Sequence, residues 1–421
     1  MQAAGIHHLE FVLLFVMVLV VTLAALARRF GTPYPIVLVI GGLAVSLIPN
    51  VPRVELNPHV IFLVLLPPLL FGAAFHTSWR SFRRNLAKSS MMAFGLVGFS
   101  VAAVAFVTPL LLPGFNHGAG FVLGALVAST DAIAATSIAR RMHLPQRITD
   151  ILEGESLLND ATSLLALELG VALVAGTAVP TIGTSTLRLI YLVTGGVIVG
   201  VAAGWLVRWC LQHLDDAPLE ITLSLLAPYV AYLGAESAHS SGVLATVACG
   251  LLLGEKQSES LSARARVEAL AVWSTVDFVL NGAVFALIGL QLPGVLEGIG
   301  RVPLAELALD TVILIALLIG VRLLWVFAVS WISYAIRKKL KRPAARPRAS
   351  EVFIIGWTGM RGVIALAAAM SLPVLTNAGE AFPQRDLLIF LTFAVILVTL
   401  VAQGLSLPFL IDKLRVTRQA A

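Results

Sequence analysis

Glu153-Gly154-Glu155-Ser156-Leu157-Leu158-Asn159-Asp160 lies inside an apolar stretch long enough to span a bilayer. An ionisable group at the bilayer midplane costs a few kcal/mol, so it usually marks an ion or proton path. On a helix, Glu155 and Asn159 are spaced i,i+4, as are Ser156 and Asp160. The four side chains therefore form two adjoining stripes on one helix side. Three more charges, Asp131, Arg322 and Arg361, interrupt other apolar stretches.

The surrounding composition fits a membrane chain. Of 421 residues, 58% are hydrophobic and 12% charged, against roughly 25% charged in soluble domains. Apolar runs of bilayer length recur from end to end, which predicts an all-α polytopic membrane protein. The net charge of +6 is read as the positive-inside bias of loops and not as a nucleic-acid surface. Cys210 and Cys249 form neither a disulfide framework nor a metal motif. The first apolar segment, Leu9 to Leu26, has no basic stretch before it and no small-residue cleavage site after it. It is read as a retained helix.

Thirteen spans are predicted at 9–28, 34–50, 58–76, 89–112, 118–140, 147–175, 183–208, 217–236, 240–254, 270–292, 303–335, 350–372 and 385–412. The basic residues fix their orientation. With the N-terminus outside and the C-terminus inside, 23 of the 29 Lys and Arg fall on the inner side. Only Arg53, Arg188, Arg301 and Arg385 fall outside, while Arg322 and Arg361 lie within spans. One span more or fewer would invert every later loop and destroy the asymmetry. The loop from Arg337 to Arg348, with Pro343 and Pro347, reads as a basic inner loop at the anionic leaflet. Glu255 to Glu268 reads as a short charged surface helix. No soluble domain and no large cytosolic tail are expected.

Depth joins the buried charges into one site. At about 1.5 Å per residue, Asp131 lies roughly 14 Å in from Arg140. Asp160, Arg361 and Arg322 lie roughly 20–22 Å in from Arg147, Arg348 and Arg337. All four approach the midplane of a hydrocarbon core about 30 Å thick, from spans 5, 11, 12 and 6. Ser129-Thr130-Asp131 in span 5 and Gly356-Trp357-Thr358-Gly359-Met360-Arg361-Gly362 in span 12 predict discontinuous helices, whose freed carbonyls and helix ends coordinate ions in transporters. Spans 5 and 12 hold equivalent places in two six-helix halves around span 7. That arrangement predicts an inverted repeat.

A small alkali cation wants hard oxygen ligands. Asp160 with Ser156 and Thr130 offers them. Burial favours the neutral form of a carboxylate, so a buried one can hold a proton when no cation is bound. One carboxylate that takes either a proton or a cation is a minimal antiporter. Arg322 and Arg361 keep their charge and need carboxylate partners, for which Glu155 and Asp131 remain. Asp277 and Asn281 in span 10 read as packing residues, Pro67-Pro68 as a kink, and the glycines of span 7 as close-packing positions. His7, His8, His117 and His239 lie at water-facing ends. An aspartyl hydrolase built on Asp131 and Asp160 is disfavoured by the buried arginines and the absent Gly-x-Gly-Asp context, so no enzymatic activity is expected. A cation channel would show a symmetric filter or ring. Proton-coupled antiport of an organic ion is the main alternative.

At these residues the chain resembles the monovalent cation:proton antiporters of the sodium/proton exchanger type, including the bacterial Na⁺/H⁺ antiporters. The carrying segments are Leu66-Pro67-Pro68-Leu69-Leu70-Phe71, Ser129-Thr130-Asp131-Ala132, Glu153 to Asp160, Asn281 with Phe285-Ala286-Leu287-Ile288-Gly289, and Gly359-Met360-Arg361-Gly362. The likeness runs from about residue 9 to residue 412. It implies thirteen helices in two inverted halves and a homodimer in the cell membrane. Helices of 9–76 and 217–292 would form the dimerisation scaffold. Helices of 89–175 and 303–412 would form the ion-transporting core, with 183–208 linking them. Asn159-Asp160 looks like the family's Asn-Asp motif, which implies electroneutral exchange of Na⁺, Li⁺ or K⁺ for H⁺ by alternating access, with no cofactor beyond the transported ions. Carried over, Asp160 is the cation and proton carrier, Ser156 and Thr130 (backbone carbonyl or hydroxyl) are co-ligands, Asp131 joins the site and Asn159 orients it. Glu155 with Arg322, and Asp131 with Arg361, would form two ion pairs. The chain departs from the pattern at Ala132, where many members have proline, and at Gly72, where many have an acidic residue.

Overall fold

The structure, a computed structural model, describes residues 2–49, 58–112, 114–175, 182–299, 303–341 and 346–416. Arg53, Arg301, Arg342, Pro343 and Arg418 lie outside the described residues. Each of the thirteen apolar stretches read from the sequence is helical over most of its length. They are labelled here in chain order: α1 (Gln2–Phe30), α2 (Tyr34–Ser46), α3 (58–76), α4 (79–111), α5, α6 (Gln146–Val174), α7 (Ile182–Leu211), α8 (Ala217–Ser237), α9 (Gly242–Glu255), α10 (Ala263–Leu290), α11 (Leu304–Lys339), α12 and α13 (385–414). Two are split. The halves of α5 are α5a (His117–Ala128) and α5b (Ala132–Arg141), and those of α12 are α12a (Ala349–Trp357) and α12b (Val363–Met370). Among the described residues, eight helical segments are long and apolar enough to cross a membrane, and three shorter helices are also apolar.

The chain packs as two units. One comprises residues 1–55, 87–178 and 285–421, and so contains both split helices and α6. The other comprises residues 56–86 and 179–284. Residues 1–55 fall in the same unit as the helices of 89–175 and 303–412.

The second unit is built on aromatic and small residues. Trp273 of α10 is fully buried, with its ring 5.0 Å from Phe71 and 6.1 Å from Phe75 of α3. Its indole N–H donates to Ser224 Oγ at 3.2 Å. Ala227, Ala231 and Ala235 form a buried i,i+4 stripe on α8. Small stripes let membrane helices approach closely where no hydrophobic drive pulls them together. Gly196 and Gly200 of α7 lie against the backbone of α9 at Ser241 and Ala245, the close-packing role expected for the span-7 glycines. The surface helix expected at 255–268 is only Gln257–Ser260, and α10 already begins at Ala263. Its Glu259 is gripped by Arg208 at 2.7 Å and Lys256 at 2.9 Å. The Lys256 ammonium and then Arg208 hold this exposed carboxyl below the usual carboxylate range.

Among the described residues, three helices widen locally into π-turns, at Ile61–Leu65, Met91–Leu96 and Thr399–Gln403. The first precedes Pro67-Pro68. Two missing N–H donors and two rings there account for the widened turn that precedes them. The third, in α13, faces the break in α12.

Candidate ion-binding site

Both breaks fall where the sequence is weakest as helix. Ser, Thr and Asp bond their own backbone and favour caps over helix interiors. α5a ends at Ser129 in extended backbone, and Asp131 caps α5b by accepting from Ile133 N–H at 2.8 Å. In α12, Thr358 to Gly362 leave the helix. The two breaks are tied together: Asp131 N–H donates to the Met360 carbonyl at 2.8 Å. A Cβ on Gly362 would lie 2.7 Å from Asp131 Cβ. Arg361 N–H, freed by the break, donates to Thr399 Oγ1 at 3.2 Å. The π-turn of α13 thus satisfies a backbone donor that a bilayer could not.

α6 presents the second half of the site. Glu155 and Arg322 are 1% and 2% exposed. Arg322 binds Glu155 in two-pronged fashion, Nη1 to Oε1 at 2.5 Å and Nη2 to Oε2 at 3.0 Å. Nη2 also donates to the Ile355 carbonyl at 3.2 Å. This is the first of the two expected ion pairs, and it ties α6 and α11 to α12a.

A hydrogen-bond relay continues from it. Thr130 Oγ1 donates to Glu155 Oε1 at 3.1 Å, and Asn159 Nδ2 donates to Thr130 Oγ1 at 2.7 Å. The direction is forced. An ionised carboxylate only accepts, so Thr130 spends its one proton there and must accept from the amide of Asn159. Asn159 Oδ1 is left buried without a hydrogen-bond partner. Ser156 Oγ accepts from Ala132 N–H at 3.4 Å, so α6 holds the start of α5b as well.

Asp160 stands apart from this relay. Its carboxyl faces the side chain of Ser129 and the charge of Asp131. The Thr130 hydroxyl is committed to Glu155 and Asn159, which leaves its carbonyl for the expected ligand role, and the Ser129 side chain acts on Asp160. One expectation, the pairing of Arg361 with Asp131, needs correction. Arg361 does not pair with Asp131. The Asp131 carboxylate caps α5b, and Arg361 Nη1 turns back to its own Gly359 carbonyl at 2.7 Å. The charges around Arg361 are Arg322 and Glu155. Ser129 was visible as the first residue of the Ser-Thr-Asp break. No periodicity applies within a break, however, so spacing could not say which hydroxyl turns inward.

The Gly72 departure also has a structural counterpart. A side chain there would collide with Asp277 Oδ1 of α10. His76 Nδ1 contacts the Gly72 carbonyl at 2.7 Å and lies 3.9 Å from Asp277 Oδ2. Asn281 Nδ2 donates to the Asp277 carbonyl at 2.7 Å. An acidic side chain therefore fills the space over Gly72, supplied by α10. Among the described residues, no cluster of three His, Cys, Asp or Glu suits a metal ion, and both cysteines are free.

Comparisons with known proteins agree with this architecture. The chain matches the family described as sodium/hydrogen exchanger, transmembrane, over residues 15–413. It is 35% identical to an uncharacterized Na⁺/H⁺ exchanger of Mycobacterium tuberculosis, across 97% of this chain and 76% of that protein. It is 32% identical to an uncharacterized Na⁺/H⁺ exchanger of Escherichia coli, across 96% and 77%. A sodium, potassium, lithium and rubidium/H⁺ antiporter of Bacillus subtilis is 29% identical across 96% and 61%. The fold is similar to that of the sodium proton antiporter MjNhaP1 of Methanocaldococcus jannaschii, with a TM-score of 0.71 at 17% identity, covering 97% and 99% of the two chains. The family match spans both broken helices, α6 and the buried ion pair: the chain is a multi-pass membrane protein and belongs to the sodium/hydrogen exchanger family of transporters.

Proposed function

We propose that the protein exchanges Na⁺, Li⁺ or K⁺ for H⁺, one for one, with cation and proton competing for Asp160. The observation that carries this reading is the division of labour in the site. Glu155 is neutralised by Arg322 at 2.5 Å, and Asp131 is tied up as a helix cap. Asp160 remains as the exchangeable carboxylate, beside an uncharged Asn159. A site that swaps one monovalent cation for one proton on one carboxylate moves no net charge per cycle.

Ligands for the cation are Asp160 and the Ser129 hydroxyl, with Ser156, the Thr130 carbonyl and the unpartnered Asn159 Oδ1 nearby on the same two helices. The Thr130 hydroxyl, Glu155 and Arg322 position them. Alternating access follows if the helices of 89–175 and 303–412 move as a body, and their shared packing unit supports this. The protein crosses the cell membrane thirteen times, N-terminus outside, and works as a homodimer. The B. subtilis relative's range of alkali cations supports a site that tolerates several ion sizes.

Proteoliposomes with a trapped pH dye test this reading. Pulses of Na⁺, Li⁺ or K⁺ are expected to alkalinise or acidify the lumen according to the gradient, with saturable rates. Silence toward every alkali cation, with a response to an organic cation, would overturn it.

A further inference from the structure

A cavity of about 170 Å³ opens where α4, α6, α11 and the segment leading into α12a meet. That is several times the roughly 30 Å³ share of one water. Its lining includes Lys88, Arg147, Arg337, Arg346 and Arg348. One carboxylate faces these five cations. It is Glu351, already engaged by Arg348 at 3.7 Å. The charges of Arg147 and Arg337 act on Lys88. Among the described residues, no carboxylate lies in ion-pair range of Lys88, Arg147, Arg337 or Arg346. Arg346 is steadied over the Trp331 ring at 5.6 Å.

Like charges gathered around a concave space repel one another and destabilise the fold unless an anion joins them. Guanidinium forks match phosphate oxygens in particular. The same lining includes apolar side chains, among them Met91, Val326 and Ile355. Met91 of this lining is exposed. An anionic group with an apolar tail fits both the basic and the apolar lining.

We propose that this cavity binds the phosphate group of an anionic phospholipid, with Lys88, Arg147 and Arg337 as its principal ligands and the acyl chains along Met91 and Val326. The cavity leans on the helices that carry the ion site. Ile151 of its wall lies one turn before Glu155, and the Ile355 carbonyl accepts from Arg322. A bound headgroup would clamp α4, α6, α11 and α12a together at the end nearest their basic anchors.

Native mass spectrometry of the full-length protein, with phosphatidylglycerol or phosphatidylcholine added to the micelles, tests the proposal. Phosphatidylglycerol is expected to be retained in preference to phosphatidylcholine. Each cation near a lipid surface contributes about fivefold in affinity. The triple variant Lys88→Gln, Arg147→Gln, Arg337→Gln should therefore bind phosphatidylglycerol roughly a hundredfold more weakly. Arg80→Gln, Arg83→Gln, Arg84→Gln removes the same charge elsewhere and should bind as wild type. Arg147→Lys with Arg337→Lys keeps the charge and should retain most binding, which guards against loss through misfolding. Displacement of the lipid by inorganic phosphate would assign the same cations to free phosphate, and resistance to it would assign them to the lipid headgroup. Equal retention of the two lipids, or undiminished phosphatidylglycerol on the triple variant, would overturn the proposal.

Discussion

The backbone N–H of Asp131 donates to the carbonyl oxygen of Met360 at 2.8 Å. The unwound middles of α5 and α12 are therefore one structure, each satisfying a backbone group that the other exposes. Unpaired, such groups cost several kcal/mol at membrane depth. The arrangement leaves little space, and this makes its glycines testable.

Gly359→Ala is expected to dislodge Arg322. The added methyl would lie 2.5 Å from Arg322 Cδ and 2.9 Å from its Nε. Overpacking of this kind costs about 1–3 kcal/mol, and here it also strains the Glu155 pair. Thermal unfolding in detergent should fall accordingly, and exchange in proteoliposomes should be lost. Wild-type values in both would show that the guanidinium has room to move.

The Glu155–Arg322 pair should behave as a buried ion pair whose two members fail separately. Arg322→Met alone leaves a buried carboxylate and should cost about 3–5 kcal/mol. Glu155→Leu with Arg322→Met should recover most of that loss, although exchange stays impaired because Thr130 loses its acceptor. Stability of the double variant below that of the single would contradict a mainly electrostatic role.

Ser129 and Thr130 are neighbours with different duties. Ser129→Ala removes the hydroxyl facing Asp160 and should raise the apparent KM for the cation about fivefold, the worth of roughly 1 kcal/mol, with little loss of stability. Thr130→Val breaks the relay between Asn159 and Glu155 and should cost about 1–3 kcal/mol of stability. Thermal melts and cation titrations of both variants separate the two roles. Interchanged phenotypes would give the hydroxyl ligand role to Thr130 instead of Ser129.

Much of this site was legible in the sequence, for identifiable reasons. Charges inside apolar runs announce themselves because hydrocarbon tolerates so few. The stripes Glu155/Asn159 and Ser156/Asp160 follow from helical periodicity, and α6 is an unbroken helix. Ser129-Thr130-Asp131 and the glycines of 356–362 forecast the two breaks. The division of hydroxyls between Glu155 and Asp160, and the turn of Arg361 to Gly359, were not legible. Both arise in non-repetitive backbone, where one residue's step changes direction without a period to follow. The meeting of Asp277 with Gly72 and the gathering of Lys88, Arg147 and Arg337 are long-range contacts. Spacing along the chain carries no record of them.

Gly72→Ala should be destabilising by about 1–3 kcal/mol, because its methyl would meet the Asp277 carboxylate. Asp277→Ala in the same chain should relieve most of that cost. Thermal melts of the two single variants and the double variant decide it. Additive losses would mean that the two residues do not share this space.

The central claim is that one carboxylate carries either ion and that no net charge moves. It is tested most directly by Na⁺-driven proton flux in proteoliposomes whose membrane potential is clamped at several values, with Asp160→Asn run beside the wild type. The account predicts a rate independent of voltage, abolished in Asp160→Asn while that variant still melts as a folded protein. Flux that grows with the clamped potential, or that survives in Asp160→Asn, would contradict it.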